Sequence, residues 1–389
     1  MSKIDTILSE LTDISKHPRK AMEDFKAKTG KGAIGVLPIY APEEIVYATG
    51  YLPMGIWGAT KKQILKAPTW LPAFTCSIMQ SIMELEMEGA YDDLAAVIIS
   101  SPCDTLKTFA QKWKGTSPVI QFVHSQNRDM EASNEFMYEE YKVIKEKLEK
   151  ILGITITDEA INNAIEVYNE NRATMRLFSD VAAMYPQIIK PSVRHAVIKA
   201  RQFMDKAEHT KKVKELITEL LAQPVVPFKG KKIVLTGIQA EPDEVLDIFD
   251  EFGIAIVADD LAQESRQFRT DVPAGNDPLY RLAKQWQNIT ACSLAIDRDK
   301  PRGKFIVDLV KEHGADAVIV CMMKFCDPEE YDYPILLEDF EKANNIKSLK
   351  IEIDQQSESF EQIRTRVQSF VEMRSEERRV GKECRSRWS

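Results

Sequence analysis

Short apolar runs alternate along the chain with longer stretches in which apolar residues recur at helical spacing. AIGVLPIYAPEEIVYATG at residues 33–50 joins an apolar run to a helical stretch that starts at a proline and ends at a glycine. KIVLTGIQAEPDEVLDIFDEFG at residues 232–253 has the same pattern. Proline at the start of a helix and glycine just past its end are typical of helices. Both segments therefore predict a β-strand followed by a helix.

The similarity between the two parts of the chain continues beyond these segments. Residues 74–109 and residues 290–330 each contain a Cys-Ser pair, a helical stretch, an apolar strand and a Cys-Asp pair. A further apolar strand follows in each part, at residues 118–123 and at residues 349–353. Strands that alternate with helices are typical of parallel sheets. We therefore predict an α/β protein with two Rossmann/flavodoxin-like parallel-sheet domains, related as an internal repeat.

The pattern between the two repeats is helical. EFMYEEYKVIKEKLEKILG and EHTKKVKELITELLAQ are long amphipathic stretches without strand-like runs. We predict four segments, which are an N-terminal α/β domain with a leading helix at residues 1–127, a helical segment at 128–223, a C-terminal α/β domain at 224–374, and a tail at 375–389. The tail, SEERRVGKECRSRWS, lacks any periodicity that would bury a face, and we interpret it as disordered or as a vector-derived remnant.

Composition limits the classes of function. The 389 residues are 44% hydrophobic and 29% charged, as in globular proteins. A net charge of -8 disfavours nucleic acid as a partner, because nucleic-acid binding depends on basic patches. We find no run long enough to span a membrane and no secretory signal. With six cysteines and no signal, we expect a cytoplasmic protein whose thiols are reduced.

Three cysteines occupy places suited to thiolates. Cys103 and Cys326 follow predicted strands at matching points of the two repeats, and ligand sites gather at the carboxyl ends of parallel strands. We expect Asp104 and Asp327 to be the N-caps of the helices that follow. Cys76 precedes another helical stretch. A helix N-terminus favours negative charge and lowers the pKa of a thiol.

Two interpretations of these thiols remain open on spacing alone. Three converging thiolates could hold an iron–sulfur cluster that has one corner without a protein ligand. Isolated cysteines, however, often serve as small apolar core residues. Cys321, inside a predicted strand, suits that packing role and is a reserve ligand. Cys292 matches Cys76 in the repeat, but as a fourth ligand it would close the site.

Other chemistry has little support in the sequence. Zinc-binding, serine-hydrolase and P-loop motifs are absent from it, and no residue is assigned a catalytic role. Arg266 and Arg269 lie three apart near a strand end and could meet the carboxylate or phosphate of a substrate, or a partner chain. Arginines in such positions more often form surface or interface ion pairs.

Five separated motifs resemble a known family. They are PEEIVYATG, LPAFTCSIMQS, SSPCDTL, ADDLAQESRQFRTDVPAG and CMMKFCDPEEYDYP. The chain resembles the small (beta) subunits of the anaerobic 2-hydroxyacyl-CoA dehydratases, a family that includes benzoyl-CoA reductase subunits. The resemblance covers about residues 1–374. Within the family, it is most similar to subunits acting on 2-hydroxyisocaproyl-CoA or aryl-lactyl-CoA.

The resemblance implies cofactors and partners. Each subunit of the heterodimer would hold one [4Fe-4S] cluster on three cysteines and a non-protein fourth ligand, and here Cys76, Cys103 and Cys326 match those cysteines. An ATP-dependent iron–sulfur activator protein would deliver one electron. The acyl-CoA substrate would bind mainly at the alpha subunit, so this chain would relay or store the electron.

The reaction implied is loss of water from an (R)-2-hydroxyacyl-CoA to give an (E)-2-enoyl-CoA. One electron on the thioester carbonyl gives a ketyl radical that expels the hydroxyl, after which the hydrogen at C3 becomes acidic. One alternative is a subunit of a benzoyl-CoA reductase-like enzyme. Another is a two-domain α/β ligand-binding protein whose cysteines only fill the core. Flavin is possible but not indicated, because no G-x-G-x-x-G motif is present.

Overall fold

The computed structural model of the chain describes residues 2–37 and 39–372. The predicted tail, with Cys384, lies outside the described residues. The helices are α1 (Lys3–Lys16), α2 (Pro18–Thr29), α3 (Glu43–Tyr47), α4 (Ser77–Met87), α5 (Asp104–Lys112), α6 (Glu131–Leu152), α7 (Asp158–Met184), α8 (Pro191–Ala200), α9 (Lys206–Leu221), α10 (Asp243–Glu251), α11 (Pro278–Asn288), α12 (Arg302–Glu312) and α13 (Asp327–Lys342). The strands are β1 (Ala33–Val36), β2 (Leu52–Gly55), β3 (Val97–Ile99), β4 (Val119–Gln121), β5 (Lys231–Gly237), β6 (Ile254–Leu261), β7 (Ala317–Met323) and β8 (Ser348–Ile353).

The strands form two parallel four-stranded sheets with the same order. The first sheet has the order β2-β1-β3-β4, and the second has β6-β5-β7-β8. Every pairing is parallel. If strands are numbered within each sheet, both have the order 2-1-3-4, which is the start of the flavodoxin-like order. The predicted α/β class with two flavodoxin-like sheets is confirmed.

Apolar burial explains why these runs become strands. Every residue of β6 and of β7 is buried, as expected for strands covered on both faces. On one face of the second sheet, Val318 and Val320 pack against α12 and α13. The other face joins a core that also contains the strands of the first sheet. The two halves therefore share one continuous hydrophobic core.

The helices α6 to α9 lie between the two sheets in the chain. A second core joins α7, α8 and α9 with the leading helix α1. Ile4, Ile7 and Leu11 form the buried face of α1, and this face packs against α8 and α9. None of the helices in the described part of the chain is both long and apolar enough to cross a membrane.

The two halves also meet through buried hydrogen bonds. The backbone N–H of Gln355, just after β8, donates to the Ser77 hydroxyl at the start of α4 over 3.0 Å. The side-chain amide of Gln355 donates to the Trp57 carbonyl over 3.0 Å. The Ser77 hydroxyl contacts the Met323 sulfur at 3.4 Å. These contacts place the end of β7 beside the start of α4.

Buried charges attach α8 to the second sheet. Arg194 donates to Asp259 and Glu264, and the His195 ring lies 2.8 Å from Glu264 and 3.0 Å from Glu241. Burial alone would lower the pKa of His195, but the hydrogen bonds to Glu241 and Glu264 outweigh it and raise the pKa to about 9. The imidazolium therefore stabilises the packing of α8.

We expect His195→Gln to flatten the pH dependence of stability between pH 7 and 10. The folded pKa lies above the unfolded value of about 6.5, so this stabilisation is complete below about pH 6.5 and is lost as the pH rises through about 9. The wild-type free energy of unfolding should fall by roughly 3 kcal/mol over that range through this group. Urea unfolding across the pH series measures it, with His17→Gln, on the exposed end of α1, as the control. Equal slopes in wild type and His195→Gln would contradict the assignment.

Candidate functional site

The three cysteines singled out in the sequence each lie at the N-terminus of a helix. Cys76 is the N-cap residue of α4, Cys103 that of α5, and Cys326 that of α13. The prediction that Asp104 and Asp327 are the N-caps is wrong by one residue, since they are the first residues of α5 and α13. The last extended residue before α5 is Cys103, so the helix begins one residue earlier than expected.

All three thiols line one small cavity. It has a volume of about 70 Å³ and lies between the carboxyl edges of the two sheets. The remaining lining residues are Leu37, Ile39, Ile56, Trp57, Ile78, Met79, Ile82, Pro102, Leu106, Ile238, Leu294 and Met323. The structure thus brings together thiols that are 27 and 223 residues apart in the chain (103 minus 76 and 326 minus 103).

The three thiols lie among apolar residues and influence one another's pKa. Burial raises the pKa of all three, and that of Cys76 to about 11. Backbone N–H groups, such as those of Met79 and Ile78 at Cys76, act in the opposite direction. Cys103 raises the pKa of Cys76, and both raise that of Cys326. The N–H groups at the helix N-termini lower these pKa values as expected, but burial outweighs them, so the net shift of each thiol is upward.

The chemistry of the three thiols decides which metal groups they could hold. Among residues 2–37 and 39–372, no three side chains of His, Cys, Asp or Glu are placed to hold one metal ion. In an iron–sulfur cluster, each thiolate binds a different iron, so the sulfurs need not converge on one point. Three thiols, N–H donors at helix N-termini and apolar walls supply what such a cluster needs.

The other described cysteines lie outside this cavity. Cys321 is fully buried in β7, paired with Gly237 of β5 and Ile351 of β8, and burial raises the pKa of its thiol. Cys292 is buried, and its sulfur accepts a hydrogen bond from the Tyr40 hydroxyl at 2.9 Å. Neither residue lines the cavity. The assignment of ligands to Cys76, Cys103 and Cys326 stays a prediction.

The residue before Cys326 has a left-handed backbone conformation. Phe325, between β7 and α13, has φ of 63°, which is a strained conformation for a residue with a side chain. Phe325 is 42% exposed. The turn lets the buried strand end and the helix begin within three residues, with the thiol at the helix start.

Arg266 and Arg269 point into the second domain. Arg266 lies 3.0 Å from Asp260 and 3.2 Å from Glu329. Arg269 lies 2.7 Å from Asp260 and also donates to the backbone carbonyls of Thr290 and Ala291. The ion pairs are thus internal rather than on the surface. A role of these arginines toward substrate or a partner stays a prediction.

The sequence reading missed Glu329, a buried carboxylate next to Cys326. It accepts hydrogen bonds from Ser293 at 2.7 Å, from Arg302 at 2.8 Å and from Arg266 at 3.2 Å. Burial alone would raise the pKa of Glu329, but Arg302 and Arg266 hold it below its ordinary value. Because Glu329 lies in the first turn of α13, these bonds fix the helix start that carries Cys326.

A signal for this network was present in the sequence. The apolar run of β6 ends in Asp259 and Asp260, and both carboxylates are buried. Buried carboxylates at the end of a core strand require cationic partners elsewhere in the chain. Asp260 has three such partners, which are Arg266, Arg269 and Arg302.

We expect Glu329→Gln to lower the free energy of unfolding by about 3–5 kcal/mol, because it leaves buried arginines without their counter-charge. The same change at the next residue, Glu330→Gln, is a matched control, since Glu330 is exposed. It should cost less than about 0.5 kcal/mol. Urea unfolding at pH 7 measures both. Similar losses in the two variants would show that the network does not hold α13.

Comparisons with known proteins agree on one family. The model of the family "2-hydroxyglutaryl-CoA dehydratase, D-component" matches residues 38–374. The chain is 61% identical to lactoyl-CoA dehydratase subunit beta of Anaerotignum propionicum, over 96% of this chain and 100% of that protein. It is 46% identical to the (R)-phenyllactyl-CoA dehydratase beta subunit of Clostridium sporogenes, with the same coverage. It is 40% identical to the (R)-2-hydroxyglutaryl-CoA dehydratase subunit beta of Acidaminococcus fermentans, over 95% of this chain and 99% of that protein.

Proposed function

The chain belongs to the 2-hydroxyglutaryl-CoA dehydratase, D-component family, and from this premise we propose that it is the beta subunit of an oxygen-sensitive (R)-2-hydroxyacyl-CoA dehydratase. Such an enzyme is a hydro-lyase that forms an (E)-2-enoyl-CoA. Identity of 40–61% over nearly the whole length of three dehydratase beta subunits supports the proposal. Because the relative with 61% identity is named for lactoyl-CoA, a short 2-hydroxyacyl group is the first substrate to test.

We propose that Cys76, Cys103 and Cys326 hold one [4Fe-4S] cluster, with a non-protein fourth ligand. The observation that carries this proposal is that three thiols at three helix N-termini line one apolar cavity. When bound, the cluster would store and pass on the single low-potential electron that ketyl-radical elimination of water requires.

The residues around the thiols would tune such a group. The backbone N–H groups of Leu106 and Thr105 lower the pKa of Cys103, and that of Glu329 lowers the pKa of Cys326, so these groups would offset negative charge on sulfur. Trp57 and the other apolar walls would keep water away from it. Arg266 and Arg302 neutralise the Glu329 carboxylate and would weaken its repulsion of a Cys326 thiolate.

We propose that the partner is an alpha subunit, which carries most of the acyl-CoA site, and that the electron comes from an ATP-dependent iron–sulfur activator protein. The beta-subunit names of the relatives support a heteromer. Large apolar side chains are exposed close to two of the thiols in the chain: Phe74, 71% exposed, is two residues from Cys76, and Phe325 is next to Cys326. Exposed apolar groups of this kind are typical of protein contacts.

The cluster assignment predicts a sharp division among the cysteines. Cys76→Ala, Cys103→Ala and Cys326→Ala should each lose the cluster. Cys321→Ala and Cys292→Ala should keep it and lose only roughly 1 kcal/mol of stability through packing. Iron and acid-labile sulfide on anaerobically purified chains measure this, with about four of each expected per wild-type chain. An intact cluster in any of the first three variants would remove that residue from the ligand set.

The proposed activity is tested with the reconstituted enzyme. The chain, its alpha subunit and the activator with ATP should convert (R)-lactoyl-CoA or a longer (R)-2-hydroxyacyl-CoA to the enoyl-CoA, and omission of this chain should abolish turnover. Reduction of benzoyl-CoA by the same mixture, without dehydration, would replace the proposal by a reductase. A wild-type chain without iron, even when made anaerobically with iron supplied, would refute the cluster and support a binding protein.

A further inference from the structure

A second small cavity lies where three parts of the molecule meet. Its volume is about 40 Å³. The loop after β1, the helical segment and the second domain each contribute to its wall, and it shares no lining residue with the cysteine cavity. The lining residues are Tyr40, Ala41, Glu43, Tyr141, Tyr168, Arg172, Arg201, Arg266, Gln267, Thr270, Gln285, Trp286 and Ile289.

Positive charge exceeds negative charge around this cavity. Five charged side chains are buried there, which are Glu43, Glu44, Arg172, Arg201 and Lys206. Lys206 pairs with Glu43 at 3.0 Å, and Arg172 pairs with Glu44. Arg201 forms no ion pair within the described part of the chain. Three cations therefore face two carboxylates.

Nearby groups do not cancel the surplus. Arg266 belongs to a separate set, which has no surplus of negative charge: Arg266, Arg269, Arg302 and the more exposed Lys300 face Asp260, Glu329 and Asp332. His209 adds no charge at neutral pH, because burial lowers its pKa to about 3. Asp205 offsets part of the charge of Lys206, but it is partly exposed and already accepts a hydrogen bond from the Glu208 N–H as the N-cap of α9, and it forms no ion pair with Arg172 or Arg201 among the described residues.

Several donors of the two cavity arginines lack acceptors. The Arg172 Nε is buried and has no hydrogen-bond partner. Arg201 makes one side-chain hydrogen bond to the residues described, from its Nε to Asn171 at 2.7 Å, which leaves its two terminal nitrogens without one. A guanidinium stays protonated in proteins, so it cannot relieve its charge by losing a proton. A buried cation without a counter-ion is costly.

The surplus of positive charge also affects the pKa values of the cations. The pKa of Lys206 is lowered to about 8, first by burial and also by the positive charge of Arg201. Burial and the nearby Arg172 likewise lower the pKa of Arg201. The three cations surround the ring of Tyr168, at 5.2 Å to 6.0 Å from its centroid, and a ring face offsets a cation only weakly.

We propose that this cavity binds one monovalent inorganic anion of halide size, chloride in the cell, between Arg172 and Arg201. A water needs about 10–15 Å³ of such space, so 40 Å³ is enough to hold a halide ion. The anion balances the surplus cation and accepts the unpaired guanidinium donors. Because its walls come from the first domain, the helical segment and the second domain, it fastens the three together. The site is independent of the proposed dehydratase function.

Anomalous scattering from bromide, a heavier halide, tests the proposed anion site directly. Crystals of the complete protein grown or soaked in sodium bromide, measured at the bromine absorption edge, should give an anomalous peak between the two guanidinium groups. Water density without an anomalous peak at this place would overturn the proposal.

Anion-dependent stability gives a second test. At constant ionic strength, replacement of gluconate by chloride should raise the unfolding midpoint of the complete chain until it saturates, as expected for a ligand of the folded state. Arg201→Met should remove this dependence. Arg281→Met is the control and should keep it, since Arg281 pairs with Glu166 and Asn162 away from the cavity.

The outcomes separate the alternatives. A wild-type midpoint that does not depend on chloride, or an equal dependence in Arg201→Met, would refute the anion. If Arg201→Met does not fold, the presence or absence of the anomalous bromide peak in the wild-type crystals decides whether the cavity binds an anion.

Discussion

The parallel direction of every strand is the constraint on which the site depends. In a parallel sheet, all strands end at the same edge, and each following helix begins there with its N–H groups directed outward. The structure contains two such sheets with the same strand order, and Ser77, Gln355 and Met323 join their carboxyl edges. Helix N-termini from both sheets therefore lie around one space. Residues at the starts of these helices therefore lie close together in the structure, even when they are far apart in the sequence.

Buried ion pairs then fix the positions of the helix starts that the two sheets bring together. Hydrophobic packing holds the strands, but it is non-directional and does not set the position of a helix start to within an ångström. The carboxylates at the end of β6 and in the first turn of α13 supply direction, because Arg302 bridges Asp260 and Glu329 at 2.9 Å and 2.8 Å. Such a network stabilises little relative to a packed apolar core, yet loss of one member is costly. In the second domain, these buried ion pairs therefore add little to the free energy of unfolding, but they position the start of α13 next to Cys326.

The fold was largely predictable, since its signals are local. Apolar runs gave the strands, and prolines 42 and 242 marked the two helices that follow the first strand of each sheet. The partners of Asp260 and Glu329 were not predictable, because they come from separate loops and helices and no periodicity links them. The N-cap positions at Cys103 and Cys326 were missed by one residue, since composition does not distinguish an N-cap residue from the first helical residue. Spacing alone could not show that three thiols share one cavity.

The repeat contains a fourth cysteine, Cys292, that the structure places outside the cavity of the other three. Cys76 and Cys292 occupy matching Cys-Ser pairs, so sequence context does not distinguish them. The structure does, because α4 begins at Ser77, directly after Cys76, whereas after Cys292 the next helix begins only at Arg302. Cys292 therefore lacks the N–H donors of a helix start and receives the Tyr40 hydroxyl instead. The place of a cysteine relative to a helix N-terminus, and not its neighbours in the sequence, separates a candidate ligand from a buried thiol. Cys292 is accordingly not among the residues that line the cavity, whereas Cys76 is.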